Sequence, residues 1–248
     1  MTTAVRGRVR VETGERRVRG YVRGTLVFDS LSPLLVWESP HYPAYYIPVG
    51  DLRGGVLVPT GSTEHSPSRG EAELYGIRVG EAEIPGTARV YAQSPLEEIR
   101  QTVRFDWTAI DAWFEEDEQI FTHPRSPYTR VDILPSSRRV RVEADGVLLA
   151  DSVHARALFE TGLPVRWYLP KVDVRMDLLT PTDTSTGCPY KGTAQYWSAR
   201  VGDRVLDDVV WSYPTPLPES ERIAGLVCFY PDKVQVSVDG VPLGATAH

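Results

Sequence analysis

The chain has 248 residues, a formal net charge of −6, and 42% apolar against 24% charged side chains. That acidic balance argues against nucleic acid as the main partner. No apolar run approaches the roughly 18 to 20 residues that a membrane helix needs, so no membrane partner is expected either.

This length allows one or two domains, each able to bury a core. Twenty Pro and twenty Gly imply many turns and favour β structure over long helices. The first twenty residues, MTTAVRGRVRVETGERRVRG, lack the apolar stretch of a secretory leader. Cys188 and Cys228 do not make a disulfide framework, so a reduced, cytoplasmic protein is expected. There is no CxxC, no HExxH and no paired Cys/His cluster, and so no metal is expected. A GxxxxGK[ST] phosphate loop is also missing, and no cofactor is expected.

Taken in order, residues 5–12 (VRGRVRVE) alternate apolar and polar and read as a strand. Arg16 to Ser30 reads as strand, Gly turn, strand, and Arg138 to Ser152 repeats it 122 positions later. Both are hairpins. Val9 to Glu12 also resembles Val140 to Glu143, so two segments compete for the first strand of the first repeat. Residues 32–53 match 153–175, pairing Glu38 with Glu160, Tyr46 with Tyr168, Asp51 with Asp173 and Arg53 with Arg175. In the second copy Ser152 is placed to cap a short helix running through Glu160, closed by Gly162.

The densest polar stretch is Leu178 to Gly202, LLTPTDTSTGCPYKGTAQYWSARVG. It aligns without a gap on Val56 to Gly80, VLVPTGSTEHSPSRGEAELYGIRVG. Val56 to Val58 and Asp177 to Leu179 read as short strands entering polar loops. Leu74 to Val79 and Gln195 to Val201 read as strands leaving them. Farther on, Tyr91 is matched with Trp211 and Ile99 with Ile223. Val103 to Phe114 matches Val227 to Val238, read as a final hairpin turning at Pro231 to Lys233. Residues 122–137 carry three prolines, have no counterpart and read as a linker. The expected architecture is mainly β with one or two short helices at most. It has two tandem, homologous antiparallel β domains, 1–121 and 138–248, joined by that linker.

The blocks RMDLLTPTDTSTGCPYKGTAQYWS, WSYPTPLP and IAGLVCFYPDKVQVSVDG resemble the bacterial and fungal family called domain of unknown function 427. The resemblance runs from Arg138 to Gly240. VWESPHYPAYYIP and VPTGSTEHSPSRG are similar to its divergent N-terminal copy in tandem members. The resemblance implies a β-tent fold like that of methionine sulfoxide reductase B, without its zinc cysteines. It also carries a nucleotidyltransferase label. That chemistry needs two metal ions held by closely spaced carboxylates. Gly61-Ser62 is followed by Glu71 and Glu73, but Thr193 and Gln195 stand at the twin positions, which argues against nucleotidyl transfer.

Cys188 lies in a polar stretch three residues from Lys191. It is either a nucleophile with a lowered pKa or a small filler, as Ser66 is in the other copy. Lys191 and its twin Arg69 suggest an anion, from a ligand or from Glu160 or Asp173. Thr182 and Thr184 offer hydroxyls to a ligand or to their own backbone. Short connections should bring Glu160, Tyr168, Asp173, Thr182, Thr184, Cys188, Lys191, Trp211 and Tyr213 to one concavity. A second, altered pocket would hold Tyr46, Asp51, Thr60, His65 and Arg69. The expected partner is a small molecule, anionic if Lys191 or Arg69 binds it. Two function classes stay open: a small-molecule-binding or regulatory protein, and a metabolic enzyme using Cys188 or an acid/base pair.

Overall fold

The computed structural model describes residues 9–244. Residues 5–8 of the first expected strand therefore lie outside the described residues. The chain forms two compact units, Met1–Ser126 and Pro127–His248. In the first unit the strands are β1 (Arg10–Thr13), β2 (Val18–Val22), β3 (Thr25–Ser30), β4 (Leu34–Trp37), β5 (Ala44–Pro48) and β6 (Leu57–Ser66). They continue as β7 (Gly70–Val79), β8 (Ala82–Val90), β9 (Thr102–Phe105), β10 (Ala112–Glu115) and β11 (Glu118–Ile120). The second unit has β12 (Val131–Pro135), β13 (Val140–Ala144), β14 (Val147–Ser152), β15 (Arg156–Glu160), β16 (Arg166–Leu169) and β17 (Leu179–Cys188). They continue as β18 (Gly192–Val201), β19 (Arg204–Ser212), β20 (Val227–Phe229), β21 (Gln235–Val238) and β22 (Val241–Pro242).

Among the described residues each unit holds one seven-stranded and one four-stranded antiparallel sheet. The large sheets run β1-β4-β5-β9-β8-β7-β6 and β12-β15-β16-β20-β19-β18-β17. The small ones run β11-β10-β2-β3 and β22-β21-β13-β14. Strand for strand these are the same topology, so the sequence duplication is a structural one. Among the described residues every helical turn is a short 3-10 turn.

The tight hairpins follow from sequence. Arg23-Gly24 and Asp145-Gly146 all have positive φ, between 48° and 78°. Two consecutive left-handed residues are what a two-residue type I′ turn requires, and Gly supplies the second without a Cβ penalty.

Side chains alternate across each strand. In the second unit Ala157, Trp167, Leu169, Val210, Val227 and Phe229 point inward. They meet Val140, Val142, Leu149, Val236 and Val238 of the small sheet. Burying side chains of this size contributes about 1.5–3 kcal/mol each. The opposite face of the large sheet is also apolar, and it forms a second cluster around Leu158, Tyr168, Trp211 and Cys228. The first unit repeats both layers.

Four expectations are corrected here. Residues 156–160 form strand β15, not a capped helix: Ala157 packs inward and Leu158 outward, so both faces are buried. The polar segments after Leu57 and Leu179 are ten-residue strands, not loops. They are sheet edges, so one side of each stays exposed and needs no apolar alternation, and a Pro is tolerated beside the register shift at Pro59 or Pro181. β20 and β21 do not form a hairpin. They belong to different sheets and face each other through the core. Finally, residues 131–135 of the stretch read as a linker form β12, which pairs with β15 as β1 pairs with β4. The competition for the first strand resolves in the same way: Val18–Val22 is the twin of Val140–Ala144.

Candidate functional site

The outer face of the second unit's large sheet collects the chain's reactive side chains. Tyr168, Cys228, Trp211 and Tyr196 lie side by side across four strands. The Trp211 indole donates to the Tyr168 hydroxyl at 3.1 Å, and the two rings meet edge to face. Trp211 and Tyr230 have ring centroids 4.2 Å apart. Hydroxyl contacts run from Thr186 to Tyr196 at 2.7 Å and from Tyr196 to Tyr230 at 3.5 Å. Burial raises the pKa of the Tyr168, Tyr213 and Tyr230 hydroxyls, so at neutral pH they remain protonated donors.

Lys191 is paired with Glu160, and both side chains are about nine-tenths buried. Lys191 follows the tip of the β17–β18 hairpin, and Glu160 ends β15. Three strands, β16, β20 and β19, lie between them in the sheet. The pair therefore ties one side of a curled sheet to the other across this face. Of the two acids expected for Lys191, the structure selects Glu160.

Tyr213 is 6% exposed and lies among Cys188, Tyr196, Glu160 and Tyr230. Among the described residues its hydroxyl has no hydrogen-bond partner. Cys188 is half-buried, whereas Cys228 is buried and its thiol is pushed up to about 12 by that burial.

The remaining expected residues bond elsewhere. Asp173 accepts from the Ser152 hydroxyl at 2.6 Å, as Asp51 does from Ser30. Both copies keep this bond, which fastens the turn after β14 or β3. Thr182 and Thr184 each donate to Asp208 at 2.7 Å. Thr182 also borders a separate hollow of about 240 Å³ with Ser198, Arg200 and Val205. Glu160, Tyr168, Cys188, Lys191, Trp211 and Tyr213 thus share one face, while Asp173 and the Thr182–Thr184 pair belong to two other bonded groups. Sequence reading offers Tyr196 as core or pocket wall without choosing, and misses Tyr230. Their signal was the contrast with Leu74 and Asp106 in the other copy.

The Asp208 carboxyl is held below the ordinary carboxylate range by the two threonine hydroxyls. A depressed folded pKa stabilises the fold above the unfolded value, near 3.9, and that contribution fades as pH falls through the folded value. Asp208→Asn removes the titration but keeps a side chain suited to the local φ of +48°. The stability gap between wild type and this variant is expected to shrink from about pH 5 downward. A pH-independent gap in melting temperature would contradict the assignment.

The first unit solves the same face differently. Glu38, Tyr46 and Arg69 form a closed triad, with Arg69 donating to Tyr46 at 2.9 Å and Tyr46 to Glu38 at 2.8 Å. Register places Arg104 where Cys228 stands, Arg89 where Trp211 stands and Leu74 where Tyr196 stands. It also makes Tyr91 the twin of Tyr213, correcting the match with Trp211. Arg89 bridges Glu64 at 3.0 Å and Asp106 at 2.6 Å, and Arg104 pairs with Asp106 and Glu38. Asp51, Thr60 and His65 stand outside this network. Thr60 donates to the Leu74 carbonyl, and His65 contacts Glu71 at 2.5 Å. Glu73 accepts from Tyr75.

A family described as Domain of unknown function (DUF427) matches the chain twice, over residues 10–116 and 132–240. The chain is a tandem DUF427 protein. No curated protein matches it. The two DUF427 matches coincide with the two repeats, and the second begins inside β12. None of the helices of this DUF427 protein is long and apolar enough to cross a membrane, among the described residues.

Proposed function

We propose that this protein binds a small molecule on the outer face of its C-terminal repeat, around Tyr196, Tyr213, Tyr230 and Cys188. The observation that carries this reading is the gathering of Tyr196, Tyr213, Tyr230 and Cys188 in one aromatic cluster, where the Tyr213 hydroxyl is open to a partner from outside rather than sealed in the core. A polar ligand atom would bond to that hydroxyl. The contrast between repeats supports the same reading. The N-terminal copy fills its face with ion pairs of its own, so we assign it a structural role. The C-terminal copy keeps one pair, Lys191 with Glu160, and puts hydroxyls, rings and a thiol in place of the others, the usual lining of a ligand site.

A thermal-shift screen against small metabolites tests this. Wild type should give saturable stabilisation with a hit. Tyr213→Phe should lose that response while its own melting temperature stays within about 0.5 kcal/mol of wild type in stability terms. Equal stabilisation of the variant would overturn the reading.

An enzyme using Cys188 is the second reading, favoured by its half-buried thiol beside Tyr213. Iodoacetamide is expected to label Cys188 in the native protein and Cys228 only after unfolding, because the thiolate is the reactive form. Rapid labelling of Cys188 well below the pH of an ordinary thiol would favour the enzyme, and sluggish labelling the binder. Native labelling of Cys228 would contradict the burial described here.

A further inference from the structure

We propose that Arg156 and Arg166 form an oxyanion-binding pair that holds the charged group of the ligand. This rests on the small-molecule reading above and names the ligand's chemical class: a phosphate or a carboxylate.

Register sets the geometry. Arg156 lies opposite Tyr168, and Arg166 lies opposite Leu158. By strand alternation both arginines share the outer face with Leu158 and Tyr168. They are diagonal neighbours on adjacent strands, about 7–8 Å apart at the backbone. The Arg166 guanidinium lies 5.6 Å from the centre of the Trp211 ring, which places it in the aromatic cluster. Both arginines are half-buried.

Among the described residues neither arginine has a carboxylate partner. The nearest acid on β15, Glu160, is committed to Lys191. Two like charges set close on a half-buried face, with no counterion, destabilise the fold. The N-terminal copy avoids this. In the same register it carries Leu34 opposite Tyr46 and Ala44 opposite Val36, and both pack into the apolar cluster there. The shared fold therefore does not need arginine at either position. An anion relieves the repulsion, and the planar guanidinium fork matches two oxygens of a phosphate or carboxylate. The anion expected from the sequence at Lys191 is thereby moved to a pair of cations that are free to receive it.

The test uses the full chain, titrated calorimetrically with inorganic phosphate and separately with succinate. The expected result is saturable binding of at least one probe, and the probe that binds tells phosphate from carboxylate. Arg156→Leu/Arg166→Ala installs the N-terminal copy's residues and should weaken binding at least tenfold. Its melting temperature without ligand should equal or exceed that of wild type. Arg156→Gln/Arg166→Gln should behave alike and serves if the first variant misfolds, and Arg200→Ala should bind as wild type does. The proposal is overturned if neither probe binds saturably, or if either double variant binds like wild type. Should neutral hits still be lost in Tyr213→Phe while the double variant leaves anion titration unchanged, the anion pair fails and the small-molecule site stands.

Discussion

Replacing Lys191 with Ala is expected to destabilise the C-terminal unit by about 3–5 kcal/mol, the usual cost of stranding one partner of a buried ion pair. Glu160 would be left about nine-tenths buried, with its charge uncompensated. The loss would be mechanical as well, because this pair fastens the β17–β18 hairpin to β15 across three strands. For a unit of this size, the melting transition should fall by on the order of 10 °C or more. Lys191→Arg should be tolerated, since Arg69 makes the equivalent contact with Glu38. A paired change, Lys191→Met with Glu160→Leu, should recover most of the stability, as apolar replacements of buried pairs often do. Were Lys191 a ligand-binding cation instead, the Ala variant would melt like wild type. Differential scanning calorimetry of the four proteins separates these outcomes.

Trp211→Arg should be at least as damaging, although it installs the residue found at the twin position, Arg89. Removing a buried Trp costs about 3–5 kcal/mol on the scale of truncation to Ala. Trp211 is 6% exposed, packs on Tyr168 and Tyr230, and donates a hydrogen bond. The incoming cation would find no partner, because Glu64 and Asp106, which receive Arg89, correspond to Thr186 and Tyr230. Adding Thr186→Glu and Tyr230→Asp should restore part of the loss, since members of one network are strongly non-additive. If Trp211→Arg alone costs less than about 1 kcal/mol in a denaturant titration, then the two faces are not the alternatives described here.

Much of the plan is legible from sequence, because local signals and duplication agree. Asp145-Gly146 announces its hairpin, and the 122-residue spacing pairs Glu38 with Glu160 and Arg69 with Lys191. The failures share a cause: each depended on what lies across the sheet. Residues 181–187, PTDTSTG, read as loop because an edge strand carries no apolar alternation. Residues 156–160 read as helix because burial on both faces removes the period of two. Tyr91 was matched to Trp211 by aromatic likeness, whereas the constant spacing points to Tyr213. Sequence offers Glu160 and Asp173 alike as partners for Lys191, since the choice between them depends on how the large sheet curls. The unpaired arginines were visible only as a difference, Leu34 to Arg156 and Ala44 to Arg166, whose meaning required knowing that Glu160 is already taken.

The most direct measurement of the central claim is the rate of Cys188 alkylation with and without a small molecule that raises the melting temperature. Cys188 packs against the same cluster as Tyr213 and Tyr196. A ligand on this face should slow iodoacetamide labelling of native protein in a saturable way, with the concentration dependence seen in the thermal shift. The same compound should give no protection in Tyr213→Phe. A compound that stabilises the protein yet leaves the Cys188 rate unchanged across the titration would place the ligand elsewhere and contradict the account.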